Sequence, residues 1–361
     1  MADYKLFSAD SHVSEPLDLW TTRLDQQFRE RAPHVECREQ DGHAQEYWVF
    51  EGFEPHRLSV GVAAAAAPGE RQAFKTNGAY ANARPGGWDP VERLKDQDVD
   101  GVDGEILHTT LGFRMFWLDD PELQRACFRV YNDWLAEYCS HSPERLIGLA
   151  LISLGDVRGG VRELDRCAKM GLKGAMIWNS APDDRPYSST EYDPFWAAAE
   201  ELQIPVSFHA LTGHHESRIP LNSVFFILST YHEVERTLAT IILSGVLERF
   251  PRLKLVSVES QAGWIPYFLQ RLDRAGKTRK DNFSTPLTLK PREYFQRQVY
   301  ATYIDDSVAI SALELIGVDN LLWSSDYPHN ASTWPRSEDI VERDFGHLAP
   351  EVRRKVVRDN V

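Results

Sequence analysis

Short apolar runs alternate with helix-like segments along most of the chain. Such alternation is typical of βαβ units that build a parallel sheet. Several helix-like segments close on glycine or proline just before the next run, as at Cys167–Gly171 and Leu313–Gly317. We therefore predict one (β/α)8 TIM barrel spanning residues 1–361, with a doubly wound open sheet as the alternative. The predicted strands are Lys5–Asp10, Gly104–Thr109, Leu146–Ile152, Leu172–Trp178, Ile204–His209, Leu253–Glu259, Val299–Ile304 and Leu321–Asp326.

Residues 21–87 interrupt this alternation. They contain charge-rich pieces, an alanine run at Ala63–Ala67 and a Gly/Pro-rich segment at Asn82–Gly87, without a clear helical period. The stretch follows the first predicted strand and is too long for an ordinary strand-to-helix loop. We predict an insertion that covers the barrel mouth. A surface excursion without that role is the alternative.

Composition narrows the class of protein. Hydrophobic residues make up 42% of the 361 positions, which is enough for a large core, and the net charge of −14 argues against a nucleic-acid partner. The four cysteines form no CxxC pair, as expected for reduced residues of a cytoplasmic protein. No apolar run approaches the ~20 residues of a membrane span, and no glycine-rich motif for an organic cofactor is present. A small-molecule substrate is the expected partner.

Residues capable of chemistry follow the predicted strands at the point where each apolar run ends. The C-terminal ends of barrel strands form the face on which such enzymes carry their active sites. A single histidine there is usually structural, but packing does not explain why several strands deliver such groups at the same end. These residues are Asp10, His12, His108, His209, Glu259, Asp305, Asp306, Asp326 and His329.

Four of these residues form a candidate metal site. Asp10 and His12 are two positions apart, so an extended chain directs both side chains to the same side. His209 and Asp326 complete a set of nitrogen and oxygen ligands that suits one divalent ion, zinc or, where carboxylates dominate, manganese. Taken singly, each residue is more often a satisfied or exposed polar group; the set of four favours a metal.

Several motifs carry a resemblance to a known family: Asp10–Pro16, Phe208–His209 and Trp323–His329, with Gly87–Leu94 and Ser244–Val256 also similar. They resemble the amidohydrolase-related family, which includes aminocarboxymuconate-semialdehyde, resorcylate and carboxyvanillate decarboxylases. The resemblance implies a (β/α)8 barrel, one divalent metal on Asp10, His12, His209 and Asp326, and homodimers. Strand four ends without a lysine that could bridge two metals. One departure from the family pattern is Ser260, which stands where those decarboxylases carry a catalytic histidine.

Other residues are candidates for acid–base chemistry and substrate binding. Glu259 is a candidate general acid or base, and so is His232, whose alternative is a helix-surface histidine. His214 and Arg218 lie in the loop after strand five, where Arg218 could bind a substrate carboxylate or simply be solvated. Trp264 is a candidate for an aromatic pocket lining that would suit a planar substrate, although most tryptophans are core residues.

Two enzymatic functions follow, and the residues favour the first slightly. In a metal-dependent hydrolase, Asp326 would activate water on a carbonyl of a ring-derived substrate, and Glu259 or His232 would protonate the leaving group. The bond cleaved could be C–N, ester or lactone, or C–C. In a non-oxidative decarboxylase of an aromatic or muconate-type acid, Asp326 would protonate the carbon that loses carbon dioxide. A barrel that only binds its ligand is a third reading.

Overall fold

The structure is a computed structural model that describes residues 5–40, 43–58, 80, 83–214, 224–278 and 285–361. Its main sheet has eight strands that follow one another in chain order. They are β1 (Leu6–His12), β5 (Val102–His108), β6 (Leu146–Leu151), β7 (Gly174–Ile177), β8 (Val206–His209), β9 (Leu255–Val258), β10 (Val299–Tyr303) and β11 (Leu321–Trp323). The strands β2 to β4 form a separate sheet, which is described below. Each coincides with a predicted strand to within a few residues. The fold is the predicted (β/α)8 barrel.

The helices between these strands begin and end at local sequence signals. The helix Pro90–Asp100 starts with proline in its first turn, and the Asp89 carboxylate accepts hydrogen bonds from two backbone N–H groups of that turn. It ends at Gly101, whose φ of 72° favours glycine. Longer helices are Pro121–Cys139, Val157–Lys169, Asp193–Glu201, Val224–Leu243, Ile265–Thr278, Pro291–Gln298 and Ser337–Phe345, and shorter ones are Leu19–Arg23, Val246–Arg249, Ser307–Ser311, Leu313–Ile316 and Pro350–Arg354.

Two compact units make up the chain. The first unit comprises Met1–Leu151 and Ser324–Arg343, and the second comprises Ile152–Trp323 and Asp344–Val361. In the first unit β1, β5 and β6 pair in parallel, and His12 lies beside His108 at the ends of two neighbouring strands. In the second unit β7 to β11 pair in parallel, with His209 beside Val258. Both units thus place polar residues at C-terminal strand ends.

The described part of the insertion contains a sheet that we did not predict. The strands β2 (His34–Gln40), β3 (His43–Val49) and β4 (His56–Arg57) pair antiparallel in that order. This sheet belongs to the first unit, and its buried Trp48 packs on Trp20 with ring centroids 5.3 Å apart. Residues 59–79, including the alanine run, lie outside the described part of the chain. The proposed cover of the barrel mouth stays a prediction.

Helices that could cross a membrane are absent from the described residues, because none is both long and apolar enough to span a bilayer.

Candidate metal centre

His12 lies at the centre of a buried group of polar side chains in the first unit. Its Nδ1 donates to the Thr109 carbonyl over 2.9 Å, which directs Nε2 away from the backbone. Nε2 lies 3.3 Å from Asp10 Oδ1 and 3.1 Å from Asp326 Oδ1. All three side chains are buried. Two carboxylates therefore converge on one imidazole nitrogen.

Asp326 reaches this group because of a bend directly after β11. Its backbone has a φ of 55°, which is unusual for a residue other than glycine, and its N–H donates to the Asp10 carbonyl over 2.9 Å. This bond ties the end of β1 to the residue that follows β11. Strained backbone of this kind is common at functional sites.

The charges within the group depend strongly on one another. Burial opposes protonation of His12, but Asp10 and then Asp326 outweigh it and hold the His12 pKa well above its ordinary value. Burial likewise opposes ionisation of Asp326, yet His329 and His12 hold the pKa of that carboxyl below its usual range. A positive charge is thus strongly favoured between the two carboxylates. A divalent cation would supply that charge and displace the proton of His12, because imidazole ligates metals in its neutral form.

Asp10, His12 and Asp326 fit a divalent metal by the chemistry of their donor atoms. Two carboxylates and one imidazole offer the hard and borderline ligands that manganese and zinc accept. Burial excludes competing water, and the Nδ1 bond of His12 leaves the other ring nitrogen to face the carboxylates. The three sequence-predicted residues of the first unit are therefore brought together.

Two further histidines touch the same carboxylates. His108 Nδ1 lies 3.2 Å from Asp10 Oδ1, and His329 Nδ1 lies 3.0 Å from Asp326 Oδ1. The His329 ring also stacks on His12 with centroids 3.8 Å apart. His12, Asp326 and His329 each offer a ligand atom within 4.8 Å of the others. The strand-end pattern had singled out both histidines without showing which carboxylate each one contacts.

The second unit places His209 and Glu259 side by side. His209 ends β8, is buried, and donates from Nδ1 to the Ala210 carbonyl over 2.8 Å. Its Nε2 lies 3.5 Å from Glu259 Oε2. Glu259 follows β9 with a φ of 53°, and its side chain is 26% exposed. His209 thus has the orientation expected of a metal ligand, and the Glu259 side chain beside it is partly exposed.

The remaining sequence candidates lie in different surroundings. Trp264 donates from its indole nitrogen to the Ser260 and Gln261 carbonyls, and His214 packs edge-on against Trp178 with ring centroids 4.7 Å apart. His232 is exposed on the helix Val224–Leu243. Arg218 lies outside the described residues. The functional roles of these four side chains stay predictions.

Two residues near the site were missed by the sequence reasoning. The Glu15 carboxylate is buried and accepts bonds from the segment that follows β5, and Arg93 donates to the His12 carbonyl over 2.7 Å. Both stand within motifs that carried the family resemblance, Asp10–Pro16 and Gly87–Leu94. That location was the available signal, but it assigned no role to either side chain.

Curated relatives of this chain are decarboxylases. The gamma-resorcylate decarboxylase of Polaromonas sp. strain JS666 is 28% identical over 269 residues, which cover 70% of this chain and 82% of that protein. The 2-amino-3-carboxymuconate-6-semialdehyde decarboxylase of Dictyostelium discoideum is 25% identical over 243 residues, covering 67% of each chain. These relatives favour the decarboxylase alternative over the hydrolase that the residues alone had favoured.

Solved structures share the fold. An amidohydrolase from Mycobacterium avium subsp. paratuberculosis K-10 matches with a TM-score of 0.81 and 22% identity, covering 100% of this chain and 97% of its own. The 5-carboxyvanillate decarboxylase of Novosphingobium aromaticivorans, solved with manganese and 4-hydroxy-3-methoxy-5-nitrobenzoic acid, matches with a TM-score of 0.70 and 21% identity over 99% of this chain and 95% of its own. The sequence profile described as amidohydrolase matches residues 23–360. The chain therefore belongs to the amidohydrolase family and, as its sequence motifs indicated, is an enzyme of that superfamily.

Proposed function

We propose that this protein is a metal-dependent, non-oxidative decarboxylase of an aromatic or muconate-type acid. The observation that carries the proposal is the pair of buried carboxylates, Asp10 and Asp326, on either side of His12 Nε2. An acidic residue in the first ligand position is the pattern of the aromatic-acid decarboxylases, whereas many hydrolases of this superfamily have histidine there. The decarboxylase relatives support the same choice.

The proposed metal ligands are Asp10, His12, His209 and Asp326. His209 is included because the C-terminal ends of all strands of a (β/α)8 barrel lie at one face, and because its Nδ1 bond to Ala210 leaves Nε2 available for a ligand role. We propose one divalent ion. Manganese is favoured by the two carboxylates and by the manganese present in a carboxyvanillate decarboxylase of the same fold. Zinc, which the sequence analysis placed first, suits the two imidazoles.

Asp10, His12, His209 and Asp326 would hold the metal, which would supply a Lewis acid that withdraws electron density from the bound substrate. Asp326, which is ionised in the resting site, would take up one proton from solvent as the substrate binds and deliver it to the ring carbon that bears the carboxylate. The carbon–carbon bond breaks, its electron pair restores the ring, and carbon dioxide leaves. Asp326 is then ionised again.

Aromatic and cationic side chains of the first unit favour an anionic ring as substrate. Phe113 packs edge-on against His12 with ring centroids 5.6 Å apart. Arg114 follows it and stacks over Trp117, with 4.6 Å from its guanidinium carbon to the ring centroid. A half-buried guanidinium on an aromatic surface suits a planar carboxylate. In the second unit, Trp264 and His214 remain candidates for substrate contacts, as does Arg218.

Hydrolysis is the second candidate, because one observation in the second unit favours it. Ser260 replaces the catalytic histidine of the decarboxylases, and its hydroxyl donates to the Val258 carbonyl over 3.3 Å. Glu259 beside it is partly exposed and could protonate a leaving group. A homodimer remains part of the proposal on family resemblance alone.

Carbon dioxide release tests the two functions directly. The protein would be stripped with a chelator, reloaded with Mn²⁺ or Zn²⁺, and given 2,6-dihydroxybenzoate, 5-carboxyvanillate and matched ring-derived esters, lactones and amides. We expect metal-dependent release of carbon dioxide from an aromatic acid, and its loss in Asp326→Asn. Cleavage of an ester, lactone or amide, with no carbon dioxide from any acid, would replace the decarboxylase with a hydrolase.

A further inference from the structure

Both ring nitrogens of His329 contact a polar group at the proposed metal centre. Nδ1 lies 3.0 Å from Asp326 Oδ1, and Nε2 lies 3.0 Å from the Thr110 hydroxyl. An ionised carboxylate only accepts hydrogen bonds, so Nδ1 must carry the proton that faces Asp326. In the neutral ring Nε2 is then an acceptor, and the Thr110 hydroxyl donates to it. The Asp326 carboxylate therefore selects the tautomer of His329, and the Thr110 hydroxyl holds the ring in place through Nε2.

Thr110 is itself held by a buried carboxylate. The backbone N–H groups of Thr110 and Leu111 donate to Glu15, the latter over 2.9 Å, and that of Gly112 donates over 3.3 Å. The Thr109 hydroxyl donates to the same carboxylate. Glu15 is fully buried, and a buried carboxylate is tolerated only where several donors compensate for lost hydration. Glu15 thus determines the conformation of the Thr109–Gly112 segment.

The same segment also orients the metal ligand His12. The Thr109 carbonyl accepts from His12 Nδ1 over 2.9 Å, while the next residue binds His329. The two rings stack at an interplanar angle of 18°, so a shift of the segment would displace both. One short segment thus contacts two histidines of the site, His12 through a backbone carbonyl and His329 through a side-chain hydroxyl.

We propose that Glu15 and Thr110 are positioning residues of the metal centre. Glu15 folds the Thr109–Gly112 segment, Thr110 holds the ring of His329 through Nε2, and His329 aligns Asp326. The inference rests on the proposed function only in taking Asp326 as a metal ligand. A role limited to stability would leave the metal affinity and the ¹⁵N signal of His329 Nε2 unchanged. Loss of hydrogen bonds behind metal ligands commonly lowers metal affinity or activity by about 10- to 100-fold.

The role of the Thr110 hydroxyl can be tested with a matched set of variants. Thr110→Val keeps the side-chain shape and removes the hydroxyl, whereas Thr110→Ser keeps the hydroxyl. Thr240→Val is the control, since it removes a hydroxyl that donates to the Arg236 carbonyl within a helix of the second unit. Glu15→Gln replaces an accepting oxygen with a donor that faces backbone N–H groups. If the Glu15 variant does not fold, the Thr110 set alone decides.

Two measurements test the inference, and neither depends on turnover. The first is ¹⁵N NMR of histidine-labelled, Zn²⁺-loaded protein, with the His329 signals assigned by their loss in His329→Gln. The second is Mn²⁺ affinity by titration calorimetry. We expect Thr110→Val to shift the ¹⁵N signal of His329 Nε2, which loses its hydrogen bond, and to weaken Mn²⁺ binding about 10-fold, while Thr110→Ser and Thr240→Val resemble the wild type.

An unchanged His329 Nε2 signal and an unchanged Mn²⁺ affinity in Thr110→Val would overturn the inference, whether or not a decarboxylase substrate has been found. Conversely, a second outcome is that Thr110→Val shows the expected changes although the protein decarboxylates none of the acids tested. That result would support the positioning role and reject only the proposed reaction.

Discussion

Arg93 and Glu105 form an ion pair that is almost completely hidden from solvent, with Nε 2.6 Å from Oε2 and side-chain exposures of 0% and 3%. The guanidinium also donates to the His12 carbonyl over 2.7 Å, and its carbon lies 4.4 Å from the centroid of the Tyr327 ring. His12 is the last residue of β1, and Tyr327 lies in the segment that follows β11. Arg93 thus ties together two backbone stretches that carry proposed metal ligands.

Removing the Arg93 guanidinium should therefore destabilise the protein strongly. Arg93→Gln leaves Glu105 buried without its cation, which typically costs about 3–5 kcal/mol. Urea unfolding measures the loss. The matched control is Arg354→Gln, because Arg354 pairs with Asp359 at the surface with side-chain exposures of 58% and 37%, and such pairs contribute at most about 1 kcal/mol. Equal losses of unfolding free energy in the two variants would show that the buried pair stabilises the fold no more than the surface pair does.

Metal content should depend on the predicted ligands and not on strand-end carboxylates in general. We expect about one manganese or zinc ion per chain by analogy with single-metal sites. Asp10→Ala, His12→Ala and His209→Ala should each reduce it severely, as measured by elemental analysis after dialysis. Asp305→Ala is the control, since Asp305 follows β10 but is exposed. Full occupancy in the His209 variant would remove that residue from the ligand set.

Glu259 should affect turnover much more than metal binding. Its carboxylate is partly exposed and 3.5 Å from His209 Nε2, so a bound molecule can reach it. If Glu259 transfers a proton, Glu259→Gln should lower kcat by about 100-fold, within the usual range for a general acid or base. Mn²⁺ affinity should change about two-fold or less. A loss of metal in proportion to the loss of kcat would instead make Glu259 a ligand.

Asp100 should make the stability of the first unit depend on pH. Burial raises the pKa of this carboxyl from 3.8 to about 7, although the Ser337 hydroxyl and N–H, which both donate to it, oppose the shift. Because the folded pKa lies above the unfolded one, protonation favours the folded state. The stabilisation is complete below about pH 4 and is lost as the pH rises through about 7.

The variant Asp100→Asn should abolish this pH dependence. The amide keeps an oxygen for the Ser337 N–H and cannot ionise. We expect the variant to be more stable than the wild type at pH 8, by roughly 4 kcal/mol at most, with the difference shrinking towards pH 4. Urea unfolding at several pH values measures it. A constant difference across this range would show that Asp100 does not titrate there.

Much of the barrel was determined by the sequence itself. Strands of a parallel barrel are buried on both faces and therefore appear as continuous apolar runs, as in β6, Leu146–Leu151. The polar residues that stop these runs, such as Asp10, His209 and Asp326, each lie at or just after the C-terminal end of a strand, which is where barrels of this kind carry their chemistry. Local pattern and a known topology are sufficient for these predictions.

Only the tertiary structure decided which side chains meet. The sheet of β2, β3 and β4 depends in part on Trp48, which packs against the distant Trp20. The charged sequence of β2 does not by itself predict a strand. Thr110 and His329 are 219 positions apart, and Arg93 and His12 are 81 apart. Hydrogen bonds between such residues arise from the meeting of strand ends, which local periodicity does not encode. The sequence thus determined which groups are available for chemistry, and the fold determined which atoms face each other.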